Sequence, residues 1–151
     1  MQTRRETLQH SAALVGLLAG TGLFPHYAHA FNASAFEAKS LAEVLKALGA
    51  SAPQLSKDVS IVAPDIAENG AVVPMGASTT LSGVKQLLIL VEKNPAVLVA
   101  VFNVNPAVEA NVSTRAKMGQ SSDVYAVALM NDGKALFAKK EVKVTLGGCG
   151  G

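Results

Sequence analysis

The chain has 151 residues, half of them hydrophobic, and a formal net charge of +2. This length predicts one domain, with enough apolar side chains for a core that needs neither metal nor disulfide bonds. The charge is close to neutral, and no basic stripe with interleaved aromatic residues is present, which argues against nucleic acid as a partner.

Residues 1–30 have the pattern of an export signal that is removed. Arg4 and Arg5 precede an uncharged run rich in Ala, Leu and Gly, and A-H-A at 28–30 matches an A-x-A cleavage site. The run is shorter than the ~20 residues that cross a membrane, so no span is expected in the mature form. The arginine pair, followed by a leucine after two residues, resembles a twin-arginine signal and predicts a periplasmic location. The general secretory route is the alternative.

One amphipathic helix is predicted next. Ser34 and Glu37 have capping-box spacing, with Ser34 as the N-cap. Gly49 stands where a glycine commonly ends a helix. The apolar stripe between them, at positions i, i+3, i+4 and i+7, consists of Leu41, Val44, Leu45 and Leu48.

Seven strands follow as apolar runs separated by turn signals. They are predicted over residues 59–63, 71–75, 84–91, 97–104, 112–118, 124–130 and 134–146. Asn131-Asp132-Gly133 is a strong hairpin signal before the last of them, and the polar segment 78–82 is predicted to be a loop. One helix followed by seven short strands predicts an all-β, immunoglobulin-like antiparallel β-sandwich over residues 31–146. A small barrel is the alternative architecture.

The last predicted strand would anchor the C-terminus. Its alternating apolar and polar side chains predict that one face is buried, and Lys139, Lys140 and Lys143 are predicted to form the solvated face of an edge strand. Arg115 is the only arginine after residue 30. It is either an anion contact or a surface side chain whose stem covers its neighbours.

The mature chain has few groups for chemistry. His10, His26 and His29 all lie in the segment predicted to be removed. This excludes catalytic triads that need histidine and histidine-based metal sites from the mature protein. One cysteine cannot form a C-x-x-C redox pair or hold an iron–sulfur cluster. We therefore expect no metal, no cofactor and no catalytic residue.

Cys149 is the remaining candidate. In an oxidising compartment a single cysteine is either a free reactive thiol or an intermolecular one. It stands in a five-residue arm, residues 147–151, whose other members are Gly147, Gly148, Gly150 and Gly151. Such an arm reaches roughly 16 Å and is thin enough to enter another protein's pocket. The pattern predicts a covalent attachment point on a carrier that is not itself an enzyme. The alternatives are an incidental cysteine and an exported structural or adhesion sandwich that dimerises through Cys149.

Several segments resemble the SoxY family, the sulfur carriers of the thiosulfate-oxidising Sox system. Besides the twin-arginine start, they are Ile66-Ala67-Glu68-Asn69-Gly70, Val72-Val73-Pro74, Glu92-Lys93-Asn94-Pro95, Thr114-Arg115-Ala116-Lys117-Met118 and the terminal Gly-Gly-Cys-Gly-Gly. Ubiquitin-like sulfur carriers also end in Gly-Gly, but they work in the cytosol, so the export signal argues against them. A single-thiol redox or repair protein is weakly supported without a resolving cysteine.

The resemblance implies an immunoglobulin-like sandwich that pairs with a SoxZ-like subunit and is exported folded as a heterodimer. It implies that Cys149 is joined oxidatively to thiosulfate by a c-type cytochrome enzyme. A hydrolase would then release sulfate, and in some organisms a sulfane dehydrogenase would oxidise the sulfur that stays on the cysteine.

Overall fold

The computed structural model describes residues 32–145, which begin with two short helices, α1 (Ala33–Glu37) and α2 (Leu41–Ala47). The prediction of one continuous helix is therefore corrected: Ala38 is extended, with φ −60° and ψ 145°. The predicted N-cap, Ser34, lies inside α1.

The helix divides because the chain contains a second capping signal. Asn32 caps α1, its Oδ1 accepting the Ala35 N–H at 3.2 Å. Ser40 caps α2, its Oγ accepting the Glu43 N–H at 3.2 Å, and the Glu43 carboxylate accepts the Lys39 N–H at 2.8 Å. Ser40 and Glu43 thus form the pair that the sequence predicts for Ser34 and Glu37.

The predicted end of the helix is confirmed. Gly49 has φ +71° and donates its N–H to Lys46 O at 3.1 Å, while the Ala50 N–H reaches Leu45 O at 2.9 Å. This pair of bonds is the Schellman motif, which favours glycine at the left-handed position.

The strands form a large and a small sheet. They are β1 (Pro53–Leu55), β2 (Val59–Val62), β3 (Ile66–Ala67), β4 (Val73–Thr79), β5 (Val84–Val91), β6 (Leu98–Asn103), β7 (Asn111–Ala116), β8 (Ser122–Met130) and β9 (Ala135–Val144). The large sheet has the order β1-β9-β8-β5-β6, with β3 also paired to β9, and the small sheet has the order β2-β4-β7. The prediction of an all-β sandwich is confirmed.

All seven predicted strands are present, and β5 has the predicted bounds. The predicted hairpin joins β8 to β9 through Gly133, at φ +85°. Two expectations are wrong. Ser78 and Thr79, predicted to lie in a loop, are paired residues of β4. β9 is not an edge strand, because the unpredicted strands β1 and β3 both pair with it in parallel.

The large sheet is buried on both faces. One core lies between the two sheets and includes Leu87, Ile89 and Val91 of β5. A second core lies between the helices and the outer face of the large sheet, and includes Leu88 and Leu90 of the same strand. Because β5 has a hydrophobic neighbour on either side, its sequence is a continuous apolar run rather than an alternation.

Within residues 32–145, no helix combines the length and hydropathy needed to cross a membrane.

Candidate functional site: the base of the C-terminal arm

The sequence-predicted site residues lie outside the described residues. They are Arg4 and Arg5 of the export signal, Cys149, and the glycines Gly147, Gly148, Gly150 and Gly151. What the structure describes is the point to which the arm is attached, the end of β9 and Thr145. We call this region the arm base and define it as residues 143–145 with the segments 65–70 and 117–122 that contact them.

The arm base is fixed by backbone hydrogen bonds on the side of β3. Ile66 and Ala67 pair in parallel with Lys143 and Val144. The Lys143 N–H donates to Asp65 O at 2.9 Å, and the Thr145 N–H donates to Ala67 O at 3.1 Å. The sheet hydrogen bonding therefore continues to the last described residue, four residues before Cys149.

A side chain holds the other side of the arm base. The Val144 N–H donates to Ser121 Oγ at 2.9 Å. Ser121 lies in the connection between β7 and β8, so the end of β9 is bonded to both β3 and this connection. The sequence carries no signal for this contact, because a serine in a turn has no preferred partner that is distant in the chain.

Gly70 packs against both the connection and β9. The Met118 N–H donates to Gly70 O at 2.7 Å. A Cβ placed on Gly70 would lie 2.4 Å from Met118 O and 2.8 Å from Val144 Cγ1. Both distances are shorter than real Cβ contacts, so this close approach requires glycine. The Met118 side chain is almost fully buried in the core between the sheets.

The segment 92–95 meets the same connection from the large sheet. Asn94 Nδ2 donates to Lys117 O at 2.8 Å, and the Lys93 N–H donates to Ser122 Oγ at 3.0 Å. Through Lys117 and Met118, this segment is linked to Gly70 and to the end of β9. The three internal segments 66–70, 92–95 and 114–118, distant in sequence, therefore meet at the end of the sandwich where the arm begins.

Ion pairs lie beside the arm base. Lys140 Nζ is 2.9 Å from Asp65 Oδ1 and also donates to Ala63 O at 2.6 Å, which holds the chain that enters β3 against β9. Lys139 Nζ is 3.0 Å from Asp123 Oδ2. The hydrogen bond from Lys139 to Asp123, and then the charge of Asp123, raise the pKa of Lys139 above its ordinary value.

Tyr125 lies next to that pair, its hydroxyl donating to Glu92 Oε2 at 3.3 Å. Burial is the largest cause that raises the pKa of Tyr125, followed by the charges of Glu92 and Asp123. Because the pKa values of Tyr125 and Lys139 are both shifted upward, these groups titrate only in alkaline solution. Residues 32–145 contain no histidine or cysteine, so no imidazole or thiol stands among them.

The structure fixes the point from which the arm extends. The arm base is bonded on two sides, and Cys149 follows Thr145 by four residues. Covalent geometry limits the Cα of Cys149 to about 14 Å from that of Thr145. A thiol within that radius could be offered to an active site supplied by another protein, provided that site admits a chain of glycines.

A separate cavity of about 980 Å³ lies at the opposite end of the sandwich. Its lining includes the polar residues Asp58, Thr80, Lys85 and Asn111. These residues lie at the starts of β2, β5 and β7 and just after the end of β4, whereas the arm base lies at the end of β9 and beside the end of β7. The arm base and this cavity are therefore at opposite ends of the sandwich.

Comparison with known proteins assigns the chain to a family. A family model described as sulfur oxidation protein SoxY matches residues 44–149, a range that includes both the arm base and Cys149. The solved structure of the sulfur carrier protein SoxY from Chlorobium limicola f. thiosulfatophilum has 37% sequence identity and a TM-score of 0.57, covering 62% of this chain and 84% of that one. No curated protein sequence matches the chain.

Two further structures share the fold alone. A putative superoxide reductase from Thermotoga maritima has 13% identity and a TM-score of 0.53, covering 61% of this chain and 93% of its own. A single-residue variant of the superoxide reductase neelaredoxin from Ignicoccus hospitalis has 19% identity and a TM-score of 0.51, covering 71% of this chain and 90% of its own. Since the family model spans more than two thirds of the sequence and the SoxY sulfur carrier shares its fold, the chain belongs to the SoxY family of sulfur oxidation proteins.

Proposed function

We propose that this protein is a covalent carrier of sulfur substrates in periplasmic thiosulfate oxidation, with Cys149 as the attachment site on a swinging arm of residues 147–151. The observation that supports this proposal most strongly is the position of the arm base. Three of the internal segments that resemble the SoxY family meet there, and the family match extends from them to Cys149.

The proposed loading step joins the Cys149 thiol to thiosulfate. The thiol loses its proton, an S–S bond forms to the sulfane sulfur, and two electrons pass to a c-type cytochrome enzyme. The product is a cysteine S-thiosulfonate. A hydrolase then adds water across the terminal S–S bond, which releases sulfate and a proton and leaves a persulfide on Cys149. In organisms with a sulfane dehydrogenase, that enzyme oxidises the remaining sulfur.

The protein's own residues would position the arm rather than activate the thiol. The neighbours of Cys149 at positions 147, 148, 150 and 151 are all glycines, which supply no charged group or base to activate the thiol. Thiolate formation is therefore left to the enzyme that receives the arm. The proposal also includes export by the twin-arginine route through Arg4 and Arg5, and a heterodimer with a SoxZ-like subunit.

Intact mass spectrometry of periplasmic protein from thiosulfate-grown cells tests the carrier role. We expect reducible adducts of about 32 Da for one sulfur and about 112 Da for the thiosulfonate, values that follow from the oxidation chemistry of the thiol. The Cys149→Ser variant should carry neither adduct. Unmodified monomer together with a disulfide-linked homodimer would instead support the structural or adhesion sandwich.

A relocated thiol provides the matched control. Thr80 is exposed and lies at the end of the sandwich opposite the arm base. The double variant Cys149→Ser, Thr80→Cys keeps one exposed thiol but places it outside the arm. We expect it to lack both adducts and to fail to support thiosulfate oxidation. Loading of the relocated thiol at the wild-type rate would show that any exposed thiol suffices and would contradict the arm mechanism.

A further inference from the structure

The outer face of the small sheet is almost free of charge. Alternation along β2, β4 and β7 places one set of side chains in the core between the sheets and the other set on this face. The outward set consists of Ser60, Val62, Pro74, Gly76, Ser78, Asn111, Ser113 and Arg115. Arg115 is the only charged residue among them. Exposed sheet faces of monomeric proteins usually carry many more charges.

The apolar part of this face is open. Val62 is 68% exposed, and Pro74 is exposed beside it. Gly76 pairs with Val62 across the sheet, and because glycine has no side chain, the sheet surface beside Val62 is flat. A Cβ on Gly76 would lie 2.9 Å from Val112 O, so this position does not readily accept a larger side chain. A shallow depression of about 850 Å³ runs over these residues and reaches Arg115.

Arg115 has no counter-ion within the described residues. The three ion pairs within residues 32–145 involve Lys134, Lys139 and Lys140. The Arg115 side chain makes no hydrogen bond to any residue of this range. Arg115 stands opposite Pro74 in the β4–β7 pairing, at one end of the apolar depression. Depletion of charge and an unpaired arginine beside exposed apolar residues are two features of the core of a protein–protein interface.

The charge of the face decides between two kinds of partner. In a two-fold symmetric dimer the same patch lies on both subunits. Because the outward set of this face contains no Asp or Glu, a second copy of the same face would offer Arg115 no carboxylate. A different chain with a carboxylate inside an apolar surface would complement it.

We propose that the outer face of the small sheet, centred on Val62, Gly76 and Arg115, binds the second subunit of the carrier complex, and that Arg115 pairs with a carboxylate of that subunit. This inference rests on the heterodimer of the proposed function and assigns its surface. The arm base lies at the end of the sandwich beside this face, so a subunit bound here would leave the arm free to enter other enzymes.

The test uses the full mature protein and the purified SoxZ-type subunit from the same genome, with binding measured by calorimetry and size by light scattering. We expect Val62→Asp to weaken binding at least ~30-fold and Arg115→Glu at least ~10-fold, because each leaves an uncompensated charge in the interface. The matched controls are Leu55→Asp, where the parent leucine is 73% exposed on β1, and Lys46→Glu on α2. Both should bind within ~2-fold of wild type.

Rescue identifies the pairing. Exposed carboxylates of the partner are changed to arginine one at a time, and one such change should restore binding to Arg115→Glu. If Val62→Asp and Arg115→Glu bind as wild type does, or if Leu55→Asp is the variant that fails, the assigned face is wrong. If the chain alone dimerises and Val62→Asp abolishes this, the occupant is a second copy and the proposal is overturned.

The outcome is independent of Cys149. Wild-type protein that carries sulfur adducts but does not bind the subunit would overturn this inference and leave the carrier role intact. A variant of the face that loses the subunit yet still carries adducts when supplied with the loading enzyme would support the inference. Absence of adducts on a correctly assembled heterodimer would instead contradict the proposed function.

Discussion

The outer face of one sheet of the sandwich is covered by helices, and the outer face of the other is exposed. The outer face of the large sheet is covered by α1 and α2, whose Val44 and Leu45 pack with Leu88 and Leu90 of β5 into a closed second core. The outer face of the small sheet has no such cover within residues 32–145 and presents Val62 to solvent. Hydrophobic side chains that are buried intramolecularly stabilise the fold, whereas those left exposed without charged neighbours indicate a partner.

The largest expected effect separates the covered face from the open one. Leu88→Ala should lower the free energy of unfolding by about 2–5 kcal/mol, because it leaves a cavity under the helices. Val62→Ala on the open face should change it by less than about 1 kcal/mol. Urea unfolding followed by circular dichroism measures both. Equal losses would mean that the small sheet's outer face is also packed in the isolated protein.

Gly70 and Gly119 test how tightly the arm base is packed. Gly70→Ala should cost about 1–3 kcal/mol, because its Cβ would meet Met118 O and Val144 Cγ1, and the first of these is a backbone atom that cannot easily move. Gly119→Ala, in the same connection, meets nothing within 4 Å and should be nearly neutral.

Thermal unfolding of the two variants compares them directly. If Gly70→Ala leaves the melting temperature unchanged, the arm base can shift to accommodate the added methyl group. A destabilised Gly70→Ala should also lower the protection of the Val144 amide against hydrogen exchange, since that N–H is bonded within the arm base.

A smaller effect tests whether the N-cap of α2 stabilises the helices that cover the large sheet. Ser40→Ala removes the Oγ that accepts the Glu43 N–H, and should cost about 1 kcal/mol by loss of the α2 cap. Ser113→Ala removes an exposed hydroxyl from the open face, and should have almost no effect on the midpoint of urea unfolding. If both serines prove equally dispensable, the cap contributes nothing to the covering helices.

The smallest effect is on the pH dependence of stability, and it comes from Tyr125 and Lys139, which pair with each other across β8 and β9. The pKa values of Tyr125 and Lys139 are raised from 10.0 and 10.5 respectively. A raised folded-state pKa stabilises the protein below the ordinary value and loses that contribution as the pH rises through the shifted value. The melting temperature should therefore fall above about pH 10.

The Tyr125→Phe variant isolates one of the two groups. It removes the burial-shifted phenol and keeps the ring contact with Phe137, whose centroid lies 5.9 Å away. Its melting temperature should decline less between about pH 9 and about pH 11 than that of the wild type, to an extent limited by solvent exposure of the pair. An unchanged decline would assign the alkaline sensitivity to other groups.

The prediction of the helix illustrates why local signals leave alternatives. The sequence contains S-x-x-E at both 34–37 and 40–43, and either could begin a helix. Packing decides between them: Asn32 Nδ2 donates to Ala47 O at 3.0 Å, which ties the start of α1 to the end of α2. A continuous helix could not make this contact.

The arm base illustrates a second limit. Its motifs were visible as segments that resemble a family, but nothing in their spacing indicates that Gly70, Asn94 and Met118 meet. Their contacts join strands that are distant in sequence, and the two strands that the sequence did not predict are too short to show any periodicity. β3 has two residues and β1 has three, so both exist only because β9 supplies a partner.

The sequence by itself determined the strands with long apolar runs, the hairpin before β9, the glycine that ends α2, and the single cysteine in its glycine setting. These features depend on local propensity and hydrophobic pattern, which can be read from a short segment of the chain. Only the tertiary structure decided that β9 is an inner strand, that the family segments gather at the arm base, and that one sheet face is covered while the other is open. Those depend on which distant surfaces bury one another, and that is a property of the packed molecule rather than of any stretch of it.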